Sequence, residues 1–599
     1  MIFKVICWGL LIFGWILLLI PTSLDAQAVN LSNSEQLEDF LPESTLAAMV
    51  IPHFPATNEK LRHSLTTLAS IQPLQPALHR FTTWLQECAD PSGFPFSDFR
   101  SIFQATVAIA LLDIGIVDNT QSISLAFPEI LFAAEIADSK TTLQHLLEKI
   151  IRQDLQFRTP ALEFRSNMVQ GVRLWIVSNA QFQFAYTFLD HVFLLTTNPD
   201  FLEHVIAYQQ HSGYDESSDM FIPLHKAEGY RSIHQAIAHD AHDVRVYINI
   251  RQLWQKLHTV YHQQCFPLSV SATQRNSLLC EPPPLRSLTW LCSLHENGGH
   301  ERTFWEMDAQ ETPPPSSNWT FWPELQTMEN GYLISDRLVP GNVLYYRAWQ
   351  FDSSGWWRRW KRYFDLLLPA SSQEEISRQI QQLEQLLGRR VESEILSAFG
   401  NEMAIACYDP SRWLHMREQK VSSENFPCSL MIRLHQREPI EHLIQSIAAI
   451  PVSSITVQDI PVYQLDFSVT MTPIKLYAAF IQDFLTITSS QRCLQQILTV
   501  AQQGGSLASL SEYTALSALC PEICYAKSYF NLRYFLQRAD LLPTSVSATV
   551  PTLPDSINGI LSVTTRTSLG VLTESFSAIG GTAIGTGIVL FCALTLWGW

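Results

Sequence analysis

Charge is scarce in this sequence. Asp, Glu, Lys and Arg make up only 16 % of the residues, against a globular norm of about 25 %. Basic residues are the scarcer sign: 39 Lys and Arg stand against 56 Asp and Glu, for a net charge of -17 over 599 residues. A nucleic-acid binder shows a basic patch or stripe, so that class is excluded as a partner. No CxxC pair occurs among the 11 cysteines, which removes zinc ribbons and thioredoxin-like redox motifs. A GxSxG nucleophile elbow, a P-loop, a GxGxxG loop and an HExxH helix are all missing too, and with them the common hydrolase, nucleotide, dinucleotide-cofactor and metalloprotease signatures. No cofactor is called for by any motif. Disorder is excluded by the 47 % of hydrophobic residues, and the length suits two or three domains.

What is present begins at the ends. Lys4 precedes an uncharged apolar run from Val5 to Ile20, closed by Pro21, and Ala26-Gln27-Ala28 has the small-x-small form of a cleavage site. Residues 1–28 therefore read as a secretory signal. At the other end no charge follows Glu574, and Ile579 to Trp599 is long enough to span a bilayer core of about 30 Å. Trp597 and Trp599 suit an interfacial belt. The expectation is an exported body tethered through a C-terminal transmembrane helix (579–599), lying outside the cytoplasm in the periplasm or at the cell surface. Cys407 and Cys493 sit within apolar patterns and are expected to be buried.

The body repeats itself. Phe103-Gln104-Ala105-Thr106-Val107-Ala108-Ile109-Ala110 returns as Phe399-Gly400-Asn401-Glu402-Met403-Ala404-Ile405-Ala406. Residues 188–197 return as 480–489, Phe201–Ile206 as Cys493–Leu498, and Tyr247-Ile248-Asn249-Ile250-Arg251 as Tyr529-Phe530-Asn531-Leu532-Arg533. The order of the blocks is preserved, which marks a duplication. Module one is placed at 41–309, a Pro-rich linker at 310–337 around Pro313-Pro314-Pro315, and module two at 338–576. Strands joined by short links predict antiparallel pairing, and helices come in groups, so the class is α+β in two similar tandem modules. Ser372 with Glu375 predicts a capping box, Ile376, Ile380, Leu383 and Leu387 share one helical face, and Gly388 ends that helix.

Three constellations bear on chemistry. Asn249 with Arg251, and Asn531 with Arg533, have the donors to hold a carboxylate or phosphate; the preferred reading is that each Asn caps a helix following a strand. His258 and His262 stand four apart on a predicted helix with Cys265 behind them. They are weak metal candidates, because two ligands do not make a site. Trp356-Trp357-Arg358-Arg359-Trp360-Lys361-Arg362-Tyr363-Phe364 is a basic, aromatic-rich run; it is either an ordinary helix with aromatics inward or a segment that lies on an anionic membrane.

The chain resembles a bacterial family of exported proteins defined by a domain of unknown function, number three-three-five-two. The resemblance rests on Leu41-Pro42-Glu43-Ser44-Thr45 ahead of a strand, the apolar block Val107 to Leu112, the strand Leu194-Leu195-Thr196-Thr197, and Tyr247-Ile248-Asn249. It implies an envelope-associated protein and transfers no catalytic residue. Three functional readings follow. The favoured one is a non-catalytic, membrane-tethered binding or scaffold protein of the cell envelope. The others are a carrier of a lipid or other apolar ligand, and an exported hydrolase.

Overall fold

The computed structural model describes residues 37–60, 103, 105–114, 116–119, 122–125, 128–136, 140–149, 162–179, 183–210, 221–237, 242–256, 285–295, 298–307, 329–367, 370–408, 427–446, 452–467, 474–537 and 559–577. The signal segment, the apolar C-terminal run, the triple proline, His258, His262 and Cys265 lie outside these residues. Among the described residues no helix is long and apolar enough to cross a membrane. They fall into two compact units, unit 1 covering 37–307 and 569–571, unit 2 covering 329–568 and 572–577.

Apart from a separate two-stranded hairpin (Ile116–Asn119 with Ser122–Leu125), the main sheet strands of unit 1 are β1 (Ala47–Ile51), β2 (Val107–Asp113), β3 (Glu129–Glu135), β4 (Glu163–Val169), β5 (Val172–Ser178), β6 (Gln183–Leu189), β7 (Val192–Thr196), β8 (Val244–Ile248), β9 (Leu285–His295) and β10 (Gly298–Met307). They pair, all antiparallel, in the spatial order β4-β5-β6-β7-β3-β2-β1-β8-β9-β10. Its helices are α1 (Lys140–Lys149), α2 (Pro199–Gln210) and α3 (Glu228–Ile237). In α2 the buried Leu202, Val205 and Ile206 follow the three-and-four spacing that puts one apolar stripe on the sheet.

Unit 2 holds β11 (Tyr345–Gln350), β12 (Phe399–Cys407), β13 (Cys428–Leu434), β14 (Val452–Val457), β15 (Ile460–Phe467), β16 (Ile474–Ile481), β17 (Phe484–Thr488), β18 (Ala526–Phe530), β19 (Ile560–Arg566) and β20 (Gly570–Ser577, counted here from Leu572). Nine of them pair antiparallel as β14-β15-β16-β17-β13-β12-β11-β18-β19. β20 meets β19 through hydroxyl pairs, Thr564 with Thr573 at 3.0 Å and Ser562 with Ser575 at 2.8 Å. This is the order of unit 1 with ten added to each label. The helices are α4 (Ser353–Leu367), α5 (Ala370–Leu387), α6 (Glu438–Ser446), α7 (Gln491–Gln503), α8 (Ser511–Ser517) and α9 (Leu532–Gln537). Antiparallel sheets with grouped helices make the class α+β.

Local chemistry explains matching details. The β4–β5 link places Gln170 and Gly171 at positive φ, and the β14–β15 link does the same with Gln458 and Asp459. Such two-residue turns match the twist of the strands they join. Gly388 ends α5 at φ +61°, as its sequence position predicts. The predicted start of α5 is corrected. Ser372 lies inside a helix that already includes Ala370, and Glu375 pairs with Arg378 and accepts from Gln379 Nε2 at 2.9 Å instead of capping. Cys407 and Cys493 are buried as expected, and all six described cysteines are free thiols.

Candidate functional site

Three features of the described residues concentrate polar or accessible chemistry. The first is the pair of asparagines. Asn249 Oδ1 accepts from Gln252 N at 3.1 Å, and Asn531 Oδ1 from Tyr534 N at 2.9 Å. Both are N-caps serving the third following amide. Their own amides donate to Leu46 O and Leu344 O, each at 2.8 Å, tying each cap to the residues leading into β1 and β11. Cap formation ends β8 at Ile248. Arg533 pairs with Glu512 at 2.7 Å. The side-chain oxygens of both asparagines are thus committed to backbone amides, and Arg533 to Glu512.

The second is a buried acid–tyrosine–base cluster that occurs once in each unit. In unit 1, Glu38 lies in the 3-10 turn Leu37–Phe40, Tyr230 on α3 and Arg245 on β8. Tyr230 Oη donates to Glu38 Oε1 at 2.7 Å, Arg245 Nη1 donates to Tyr230 Oη at 2.8 Å, and Arg245 pairs directly with Glu38. In unit 2, Asp336 lies in the 3-10 turn Ser335–Arg337, Tyr513 on α8 and Lys527 on β18. Tyr513 Oη donates to Asp336 Oδ2 at 2.9 Å, and Lys527 Nζ stands 3.6 Å from the same oxygen. The ring of Tyr230 meets Tyr247 edge-on at 5.2 Å, and Tyr513 meets Tyr529 edge-on at 5.2 Å.

Burial raises the Tyr230 hydroxyl well above its ordinary value, with the Glu38 charge adding to it. Tyr513 is raised for the same reasons, through burial and Asp336. For Arg245, burial works against the charge, and Tyr230 and Glu38 outweigh it, so its pKa is raised. The two hydroxyls and the Arg245 guanidinium therefore keep their protons at neutral pH. The cluster staples the entry turn of each unit to a helix and a strand. His242 is part of the first staple, accepting from Arg245 Nε at 3.0 Å. Unit 2 adds a further acid: Glu402 on β12 accepts the amides of Ile334 at 3.0 Å and Ser335 at 2.8 Å. Burial pushes the Glu402 carboxyl up against those bonds. Among the described residues no group of three or more His, Cys, Asp or Glu converges in the manner of a metal site.

The third feature is a cleft in unit 2 of about 630 Å³, within the range of about 300–1,000 Å³ typical of small-molecule sites. Its wall is largely apolar: Trp349 from β11, Phe399 and Met403 from β12, Ile432 from β13, Phe351, and Trp356 from α4. Strand alternation explains it. On β12 the buried Gly400, Glu402, Ala404 and Ala406 face the core, so Phe399, Asn401, Met403 and Ile405 face outward. Asp352 positions the helix wall: its Oδ1 accepts from Gly355 N at 2.8 Å, capping α4. Trp356 is 40 % exposed and Ile405 37 %. The basic, aromatic run therefore does lie on a helix, but its first tryptophan is not turned into a core.

Sequence reading located the asparagines and the aromatic run. It missed Glu38 and Asp336, which precede residues 41 and 338 where the modules were placed. Their partners stand 192, 207 and 177 residues away, and such spacing leaves no local signal. The one available hint was a shared offset: Tyr230 and Arg245 precede the Tyr-x-Asn block much as Tyr513 and Lys527 do.

No protein family and no curated protein matches the chain. Among solved structures, crystal forms I, III and IV of TP0453 align at 9 % identity with 52, 49 and 44 % of this chain and 88, 88 and 80 % of theirs, at TM-scores of 0.22, 0.20 and 0.19.

Proposed function

We propose that this chain is an exported, membrane-tethered binding protein of the cell envelope, built from two copies of one α+β module, with the outer face of unit 2 as its binding surface. The observation that carries the reading is the apolar cleft between α4 and the outward residues of β11–β13. Matching strand order, matching caps and matching staples support the duplication. The staples also support a scaffold role, since the most buried charges of both units are spent on holding the entry turns. Export and tethering rest on residues 1–28 and 579–599. A second reading, a carrier of a lipid or other apolar ligand, is favoured by the volume and lining of the same cleft.

Native mass spectrometry of residues 29–576, repeated after organic extraction, separates the two. A clean polypeptide mass supports a surface that binds a large partner. A small molecule retained near unit ratio, and lost on Trp356→Ala, supports the carrier. A chain that turns over generic ester or peptide substrates contradicts both.

A further inference from the structure

The surface beside the cleft differs in charge from the rest of an acidic chain. Arg358 and Lys361 on α4 and Arg347 on β11 are exposed, next to the exposed Trp356 and Ile405. Other arginines of unit 2 pair with carboxylates: Arg389 with Glu438 at 2.5 Å, Arg437 with Glu441 at 3.0 Å, Arg533 with Glu512 at 2.7 Å. Arg347 instead lies 6.0 Å over the ring of Trp349. Two acids are near. Asp352 is engaged as the α4 cap, which leaves Glu329 as the nearby counter-charge. An amphipathic helix with tryptophan on one side and lysine and arginine on the other is the form that lies in a bilayer interface.

We propose that α4 and the outward residues of β11 and β12 seat unit 2 on an anionic lipid bilayer. Trp356 and Ile405 enter the interface, and Arg347, Arg358 and Lys361 meet the phosphate headgroups. The inference rests on the tethering reading for its geometry. β20 ends at Ser577, two residues before the apolar run begins at Ile579, and at no more than about 3.6 Å per residue such a link keeps the end of unit 2 close to the membrane. Among the described residues, unit 1 offers no such surface. Lys60, at the position corresponding to Arg358, pairs with the buried Asp243 at 2.7 Å, and the residues matching Trp349 and Ile405, namely Ile51 and Ile109, are buried.

The test is amide hydrogen exchange on the full chain reconstituted in lipid nanodiscs of phosphatidylcholine alone or mixed with phosphatidylglycerol. In the anionic disc, residues 353–367 and 345–350 exchange more slowly, and residues 107–113 of unit 1 do not change. The protection is lost at high salt and in the double variant Arg358→Glu/Lys361→Glu. Three basic residues near an anionic surface correspond to about 100-fold in partitioning, so the contrast between discs is large. Equal exchange of 353–367 in the two discs, or protection that survives the double variant, overturns the proposal. If the chain does not enter discs at all, the tethering reading fails. The same comparison is then made with vesicles added from outside: co-sedimentation with anionic vesicles that the double variant abolishes upholds the seat, and none overturns it.

Discussion

The two units share a strand order and differ in what they do with one face of the sheet. In unit 1 the central strands are buried on both faces: every residue of β1 is buried, and so are Val107, Ile109 and Leu111 on β2. In unit 2 the matching strands are buried on one face only. Arg347, Asn401 and Ile405 are exposed, and Trp349 and Met403 half-buried. The difference is written in composition. β1 reads Ala-Ala-Met-Val-Ile and β2 opens Val-Ala-Ile-Ala-Leu-Leu, the continuous apolar runs of two-sided burial. β11 reads Tyr-Tyr-Arg-Ala-Trp-Gln and β12 alternates small buried residues with larger outward ones. The two units thus share a strand framework, and unit 2 leaves open a face that unit 1 buries.

That comparison can be broken most forcefully by charge. Ile109→Lys places an ammonium in a site only 2 % exposed. It is expected to unfold unit 1, or to cost several kcal/mol in denaturant titration, because a buried unpaired charge is not solvated. Ile405→Lys, its counterpart, should fall within about 0.5 kcal/mol of the parent. Similar losses from both substitutions would mean that the two faces are equally closed.

The staples come next. Arg245→Met leaves Glu38 buried without its cation and is expected to cost about 3–5 kcal/mol. Lys527→Met should cost less, about 1–3 kcal/mol, since Lys527 and Asp336 are 16 % and 10 % exposed and 3.6 Å apart. Reversal of this order would show that the second staple is the tighter. Asn249→Ala and Asn531→Ala should each cost about 1 kcal/mol, and equally, because the two caps have the same geometry. Unequal costs would mark one module as the more dependent on its cap.

The smallest effect is a pH dependence confined to unit 2. The folded pKa of Glu402 is raised above its unfolded value by burial. Its contribution to stability is therefore fully present below about 4.5, the ordinary carboxyl value, and is lost as pH rises through the raised folded value. Hydrogen exchange in β12 should speed up over that rise. Glu402→Gln should flatten the profile, while exchange in β2, where Thr106 stands at the matching position, should not follow it.

Much of this was legible in sequence, for physical reasons. Tyr247-Ile248-Asn249 and Tyr529-Phe530-Asn531 stand out because in each the tyrosine packs edge-on against the staple tyrosine and the asparagine caps a helix. Strand blocks such as Val107–Ala110 and Met403–Ala406 match because their inward alanines face the same kind of core. The staples were not legible, since an acid, a phenol and a base gathered from three distant elements leave no spacing to read. The open face of unit 2 lay in the contrast between continuous and alternating apolar patterns, a signal that emerges only when the two units are compared strand by strand. The His258, His262 and Cys265 grouping falls outside the described residues.

The most direct test of the account is covalent footprinting of the intact chain in solution, read residue by residue. Met403, Ile405 and Trp349 should be modified readily, and Met49, Ile109 and Ile51, their counterparts in the same sheet positions or beside them, should be protected. Equal modification of the two sets would contradict the claim that unit 1 closes this face and unit 2 leaves it open.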